Sequence, residues 1–389
     1  MELLMVTFGA VVQRRSFSRP PLVRTIILMV LMVVIACSVA VLTNNDSLPG
    51  IEARLGIPGK PPVAYTFLAG HIVRIDPSTG AILAQASDLV AEQFPSMAVS
   101  HDGQSLFVLH SELHDGEYQD QLLTLSTTTL ALQASAPVQH FMRPMESWPP
   151  ALAVTSDDRM VVVSQYGRSD SDPYWLSYYN RQTGRFAVDS TILWGCGVSQ
   201  LLPFDEQVAV LCLGSDDLRF VDLQSHKVTA TLTPGVTPDG VLGSAIAAGI
   251  IPGQRALAVV LDRGSLVRID LVTHAISLTT DLVSPNSEFA PRWADFSANG
   301  RVAVLLGHVD GTGARPLPLL IVDSTNGRIL DRLYIDTLYP AVTMAPDGQR
   351  VYVLADSGGL QEVDLATHRL RSFGPDPANT WVHLVFADR

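Results

Sequence analysis

PAVTMAPDGQRVYVLADSGGLQEVDLATHRL, residues 340–370, carries one complete structural unit in linear order. An apolar stretch (341–345) meets the turn Asp347-Gly348, a second apolar stretch returns through 351–354, and a third ends on Asp364 before a turn into a fourth. With these strands written A to D, the pattern can be followed back to VAYTFL at 63–68. A strands are expected at 96–100, 151–155, 199–203, 245–250, 292–297, 341–345 and 381–387. Their turns carry Asp102-Gly103, Asp157-Asp158, Asp205-Glu206, Pro252-Gly253, Asn299-Gly300 and Asp347-Gly348, among which Asp-Gly and Asn-Gly supply the positive φ of tight hairpins. Four short strands repeated at this period describe an all-β, seven-bladed β-propeller.

The two ends of the pattern are complementary. The last A strand has no B strand after it, whereas 63–68 reads as a B strand with no A strand before it. One blade is therefore expected to take B, C and D from the N-terminal side and A from the C-terminal end, which leaves no open edge in the ring. The C strands end at Asp76, Ser126, Asn180, Asp222, Asp270, Asp323 and Asp364. Side chains of this kind satisfy the N–H groups of the following turn, so these acids read as structural.

Ahead of the propeller, TIILMVLMVVIACSVAVL (25–42) is an unbroken apolar run. At about 1.5 Å per residue it would reach roughly 27 Å as a helix, enough to cross a bilayer. Arg14, Arg15, Arg19 and Arg24 precede it, and no Lys or Arg follows until Arg54. That bias places residues 1–24 in the cytoplasm and the propeller outside it, in the periplasm or at the cell surface, with 43–62 as a linker. Val34-Ile35-Ala36-Cys37 also fits a lipobox, which makes Cys37 a candidate lipidation site; a cleaved signal is the third option.

Units such as LLIVDSTNGRILDRL and AVTMAPDGQRVYVLADS resemble the YVTN and WD40-like propeller repeats of bacterial surface proteins. The resemblance spans 63–389 and implies the fold.

Length varies mainly in the BC and DA connections, such as 111–120, 135–150, 165–173, 233–244 and 307–318, all of which fall on one face. Variation confined to one face of a repeat scaffold marks it as a binding face. Arg143, Trp148, Trp194, Arg292, Trp293 and Trp381 fall at or near that rim and are the candidate contacts, since Trp and Arg dominate binding hot spots; packing between blades is the other role open to the Trp residues. The acids Asp115, Glu117 and Asp120, and Asp170 and Asp172, lack the EF-hand pattern and read as solvated loop residues, so no metal is expected. Cys196 and Cys212 flank one expected hairpin and are either a disulfide or two buried thiols.

The sequence contains no HExxH, CxxC, GxSxG or Walker pattern, and His110 and His114, spaced HxxxH, read as a strand end and a loop. Asp295 and His383 fall on inner strands as a conceivable acid–base pair, but channel packing is the reading adopted, and no cofactor is expected. A net charge of −12 argues against nucleic acid. The expectation is a membrane-tethered, non-catalytic module that binds a protein, peptide or glycan. The alternative is a propeller-type enzyme, lactonase, hydrolase or quinoprotein-like, with its site at the channel mouth.

Overall fold

The computed structural model describes residues 63–386 except 69, 91–95, 115–116, 139–149, 167–172, 214–215, 238–239, 242, 284–288, 310–315, 336–340, 355–359 and 374–383. The apolar run at 25–42, Cys37 and the linker lie outside these residues. Among the described residues no helix is long and apolar enough to cross a membrane.

The described chain forms seven antiparallel blades, each paired in the order A-B-C-D. Blade 1 takes B, C and D from Ala64–Leu68, His71–Asp76 and Ala81–Val90, and its A strand from Leu384–Phe386. The closing register sets Ala64 opposite Phe386 and Thr66 opposite Leu384, as the complementary ends of the repeat predict. Blades 2 to 7 begin with A strands Ser96–Val99, Leu152–Val154, Gly197–Phe204, Ala245–Ile251, Phe289–Phe296 and Ala341–Met344. Contacts between blades run from A strand to A strand, so these strands surround the axis.

Each sheet is covered on both faces by its neighbours, which is why the B strands are continuously apolar instead of alternating. In Met160–Gln165 of blade 3, Val161 and Val163 pack toward blade 2, while Val162 between them packs toward blade 4; all three are fully buried. The hydrophobic core is accordingly a ring of seven clusters, one in each gap between blades. Burying one such Val contributes about 1.5–3 kcal/mol relative to exposure.

Polar contacts lock the same gaps near the CD turns. In four blades the C-strand residue two before the strand end reaches the CD turn of the next blade: Arg74 donates to the Thr128 carbonyl at 3.2 Å and Arg268 to that of Thr325 at 3.0 Å. Where that residue is aromatic it stacks instead, Tyr178 on His226 at 4.0 Å and Phe220 on His274 at 4.1 Å between centroids. Both histidines sit in the left-handed region, φ 56° and 55°, where His is tolerated better than most residues. Gly327 occupies the equivalent place in blade 6, and a Cβ there would lie 2.6 Å from Thr280 of blade 5. The C-strand acids cap these turns as expected: Asp222 accepts from the Ser225 hydroxyl and N–H, and those bonds hold its carboxyl below the ordinary value.

The AB turns are stapled as well. The Asp158 carboxylate accepts the N–H groups of His101 and Asp102 in blade 2, each at 2.8 Å, and pairs with Arg181 at 3.0 Å. Asp158→Ala is expected to cost about 2 kcal/mol in urea unfolding, because two backbone donors and a half-buried guanidinium lose their acceptor. Asp158→Asn, which keeps one acceptor, should cost less.

Two local expectations change. Residues 111–120 do not form a simple loop: strands Ser105–His114 and Glu117–Ser126 stay paired to their ends, so both His110 and His114 lie on one strand. The segment 111–120, SELHDGEYQD, carries no apolar alternation, which hid the extension. At Pro252-Gly253 the turn widens into a single 3₁₀ turn, Pro252–Gln254, with Arg255 at φ 47° completing the reversal.

Candidate functional site

Three adjacent A strands are bulged. Pairing with the B strand skips a residue between Val198 and Gln200, between Ala245 and Ala247, and between Pro291 and Trp293. An extra residue in one strand breaks the alternation and re-aims side chains locally. The bulged residues Ser199 and Ile246 line a cavity of about 440 Å³ that also reaches Ala298 and Pro346 in the AB turns of blades 6 and 7. This volume is within the usual range for a small-molecule site.

Among the described residues, Asp295 is the charged group in the cavity wall. One carboxylate oxygen accepts the Phe296 N–H at 2.8 Å, and the other accepts the Met344 N–H of blade 7 at 2.8 Å. Burial pushes its carboxyl up to about 6, and the two N–H bonds only partly oppose this. A carboxylate fixed by two backbone donors and made more basic by its surroundings has the properties of a general base near neutral pH. Thr343, on the neighbouring inner strand, lines the same cavity.

The supporting walls are similarly fixed. Gln200 of blade 4 clamps Ala248 of blade 5, donating to its carbonyl and accepting from its N–H, both at 2.9 Å. The Phe296 ring lies directly over Gly249, where a Cβ would sit 2.3 Å from the ring. Any larger residue at 249 would displace Phe296 and, one residue away, Asp295.

Among the described residues singled out from the sequence, Asp295 alone lines this cavity; His383 lies outside the described residues. Trp194 is 64% exposed beside the blade 3–4 connection, and its carbonyl accepts from Arg219. Arg292, the third bulged residue, is exposed, while Trp293 is half-buried against the core between blades 6 and 7. Arg143, Trp148 and Trp381 lie outside the described residues, as do Asp115, Asp170 and Asp172. Asp120 is buried. Among the described residues there is no group of three or more His, Cys, Asp or Glu arranged for a metal.

Cys196 and Cys212 are joined, with Cα atoms 4.7 Å apart; Cys196 directly precedes the A strand, and Cys212 stands on the B strand opposite Val198. The bond closes a loop with sequence separation 16, so its reduction should lower stability by about 3 kcal/mol. Urea curves with and without dithiothreitol measure this directly.

The described residues form a seven-bladed β-propeller with a carboxylate in the wall of its axial cavity. No protein-family model and no curated protein matches the sequence. Solved structures do. The periplasmic gluconolactonase of Pseudomonas aeruginosa is 14% identical, with TM-score 0.59, over 84% of this chain and 99% of that one. A candidate 6-phosphogluconolactonase from Bacteroides fragilis is 14% identical, with TM-score 0.56, over 86% and 100%. Hydrazine synthase of Kuenenia stuttgartiensis is 17% identical, with TM-score 0.51, over 69% and 76%.

Identity this low shows the fold alone, and the chain is a seven-bladed β-propeller. The same neighbours correct the expectation of a non-catalytic chain. The two that this chain covers almost end to end are a gluconolactonase and a candidate 6-phosphogluconolactonase, which points to propeller enzymes. That expectation rested on topology, on loop variation confined to one face and on missing linear motifs, and a propeller can assemble its site from strands far apart in sequence, where no motif can form.

Proposed function

We propose that this protein is a propeller-type hydrolase that opens a lactone or ester in the axial cavity, with Asp295 as general base. The observation that carries the reading is the Asp295 carboxylate, held by two backbone N–H groups in the wall of a cavity sized for a small ligand. Its company with lactonase-like structural neighbours supports the choice of reaction.

In the proposed reaction, Asp295 takes a proton from water as the water oxygen adds to the carbonyl carbon. The tetrahedral intermediate collapses by breaking the bond from that carbon to the ring oxygen, and protonated Asp295 returns the proton to the departing oxygen. Lactone plus water gives the hydroxy acid, and the carboxylate is regenerated. Thr343, which lines the cavity, is the proposed hydrogen-bond donor to the oxyanion.

A pH-stat screen of lactones and esters on the purified propeller tests the proposal. Base uptake above the spontaneous rate, abolished in Asp295→Asn, is expected. Uptake that matches buffer for every lactone and ester tried would overturn it.

The membrane tether and extracytoplasmic location form part of the same proposal and rest on the apolar run and its Arg-rich flank. In that setting the substrate meets the enzyme outside the cytoplasm.

A further inference from the structure

Resting on the hydrolase reading above, we infer that Arg292 is a specificity-determining residue that binds a carboxylate of the substrate. The substrate class is then a lactone or ester with a carboxylate set away from the carbonyl that reacts. The three bulged residues are structurally equivalent: Ser199, Ile246 and Arg292 each stand five residues before the residue that closes its AB hairpin, namely Phe204, Ile251 and Ser297. Ser199 and Ile246 line the cavity, so the same tier of blade 6 sets Arg292 at its edge, toward the DA connections. A bulged residue is released from the alternation that turns side chains against the neighbouring blades. Arg292 is accordingly exposed, whereas Pro291 before it is buried and Trp293 after it is half-buried.

Other arginines of the ring are tied into the fold: Arg181 pairs with Asp158, Arg219 with Asp217 and Arg350 with Asp347. Among the described residues, Arg292 has neither an ion pair nor a hydrogen-bond partner. A planar guanidinium whose donors are all free is a ready fork for a carboxylate. In a chain of net charge −12 it also offers local attraction within a field that otherwise repels anions.

Asp295 follows Arg292 by three residues on the same strand, about 10 Å along an extended chain. That is about one Debye length in ordinary buffer, so a carboxylate held by Arg292 feels little repulsion from Asp295. An anion attached beside the reacting carbonyl would instead meet Asp295 at close range. A phosphate dianion, with three strong acceptor oxygens, calls for several donors. The described cavity lining contains no Arg or Lys, so the single guanidinium at its edge matches a carboxylate better.

The test compares a δ-lactone carrying a propanoate arm beside its ring oxygen with the primary amide of the same compound, which keeps the shape and loses the charge. For the wild-type protein, kcat/KM for the acid should exceed that for the amide by about tenfold or more, and the ratio should shrink as salt is added. In Arg292→Gln the ratio should fall to about one or below. A wild-type ratio of about one or less, or a ratio that Arg292→Gln leaves unchanged, overturns the inference.

Calorimetric binding of the corresponding lactams, which resist hydrolysis, reads the contact without turnover. Binding of the acid lactam about tenfold tighter than the amide lactam by the wild type, with equal binding by Arg292→Gln, supports the inference. If neither lactone is hydrolysed, this result removes the hydrolase reading and leaves the carboxylate site standing. Equal binding of the two lactams by the wild type, a preference that Arg292→Gln does not change, or no binding of either overturns the inference. Arg292 is exposed, so folding should tolerate Gln, and an unchanged urea midpoint separates a lost contact from a damaged fold.

Discussion

Asp295→Asn is expected to lower kcat/KM for lactone hydrolysis by about 10²- to 10⁴-fold, the usual contribution of a positioned general base. In the wild type, kcat/KM should rise with pH through about 6 and level off above it, because the base works only when deprotonated. The variant should lose that rising limb. A variant that keeps activity within about threefold, with the limb intact, would show that another group takes the proton.

Stability separates this result from misfolding. Asp295 in the folded protein titrates at about 6, against an ordinary 3.8, so the folded state holds the proton more tightly than the unfolded chain. Stability therefore falls as pH rises from about 4 to about 6, and above that the buried charge costs up to about 3 kcal/mol. Asn removes this cost but leaves one of the two backbone donors without a carboxylate acceptor, a penalty of about 1–3 kcal/mol. The two effects nearly cancel, so the variant should unfold in urea close to the wild-type midpoint at pH 7–8.

The largest stability effect is expected at the ring closure. Phe386→Ala should cost about 3–5 kcal/mol, the range for emptying a buried aromatic site. The Phe386 side chain is 8% exposed, and its ring lies 5.3 Å from that of Tyr352, whose hydroxyl donates to Glu362 at 2.8 Å. It also anchors the short strand that supplies blade 1 with its inner edge, through the pairing of Phe386 with Ala64. A loss below about 1 kcal/mol in urea unfolding would mean that the closing strand contributes little to the ring. Phe386 also lines the cavity, so activity is expected to fall with stability.

The fold was legible in the sequence because a propeller writes its architecture locally. Asp102-Gly103, Asn299-Gly300 and Asp347-Gly348 mark hairpins within a few residues of the strands they join, and Asp76, Asp222 and Asp270 mark the C-strand turns. The ring closure could be read as well, since a B strand without a partner at 63–68 called for an A strand elsewhere.

The site was much less legible. Asp295 stood out as an inner-strand acid, yet its hydrogen bond from Met344 spans a sequence separation of 49, and the clamp of Gln200 on Ala248 spans 48. Such contacts depend on which blades are neighbours and leave no fixed spacing to search for. The bulges at Ser199, Ile246 and Arg292 are equally hidden, because an extra residue in a strand is defined only by its partner. Trp gave the weakest guidance: Trp194 is exposed and Trp293 packs into a blade interface, so residue type alone did not separate the two roles.

The pairing of Tyr65 with Val385 places the entry and exit of the described chain side by side within one four-stranded sheet. A circular permutant could exploit this: a short linker joining the two would make that closure covalent, and new termini could be opened at a tight AB turn such as Phe204 to Gln207. Blade 4 would then be closed by hydrogen bonds alone, and the seam would move from one side of the cavity to the other. Comparing the unfolding of the two forms would show whether the ring's weakest point travels with the break in the backbone or stays with the residues of blade 1.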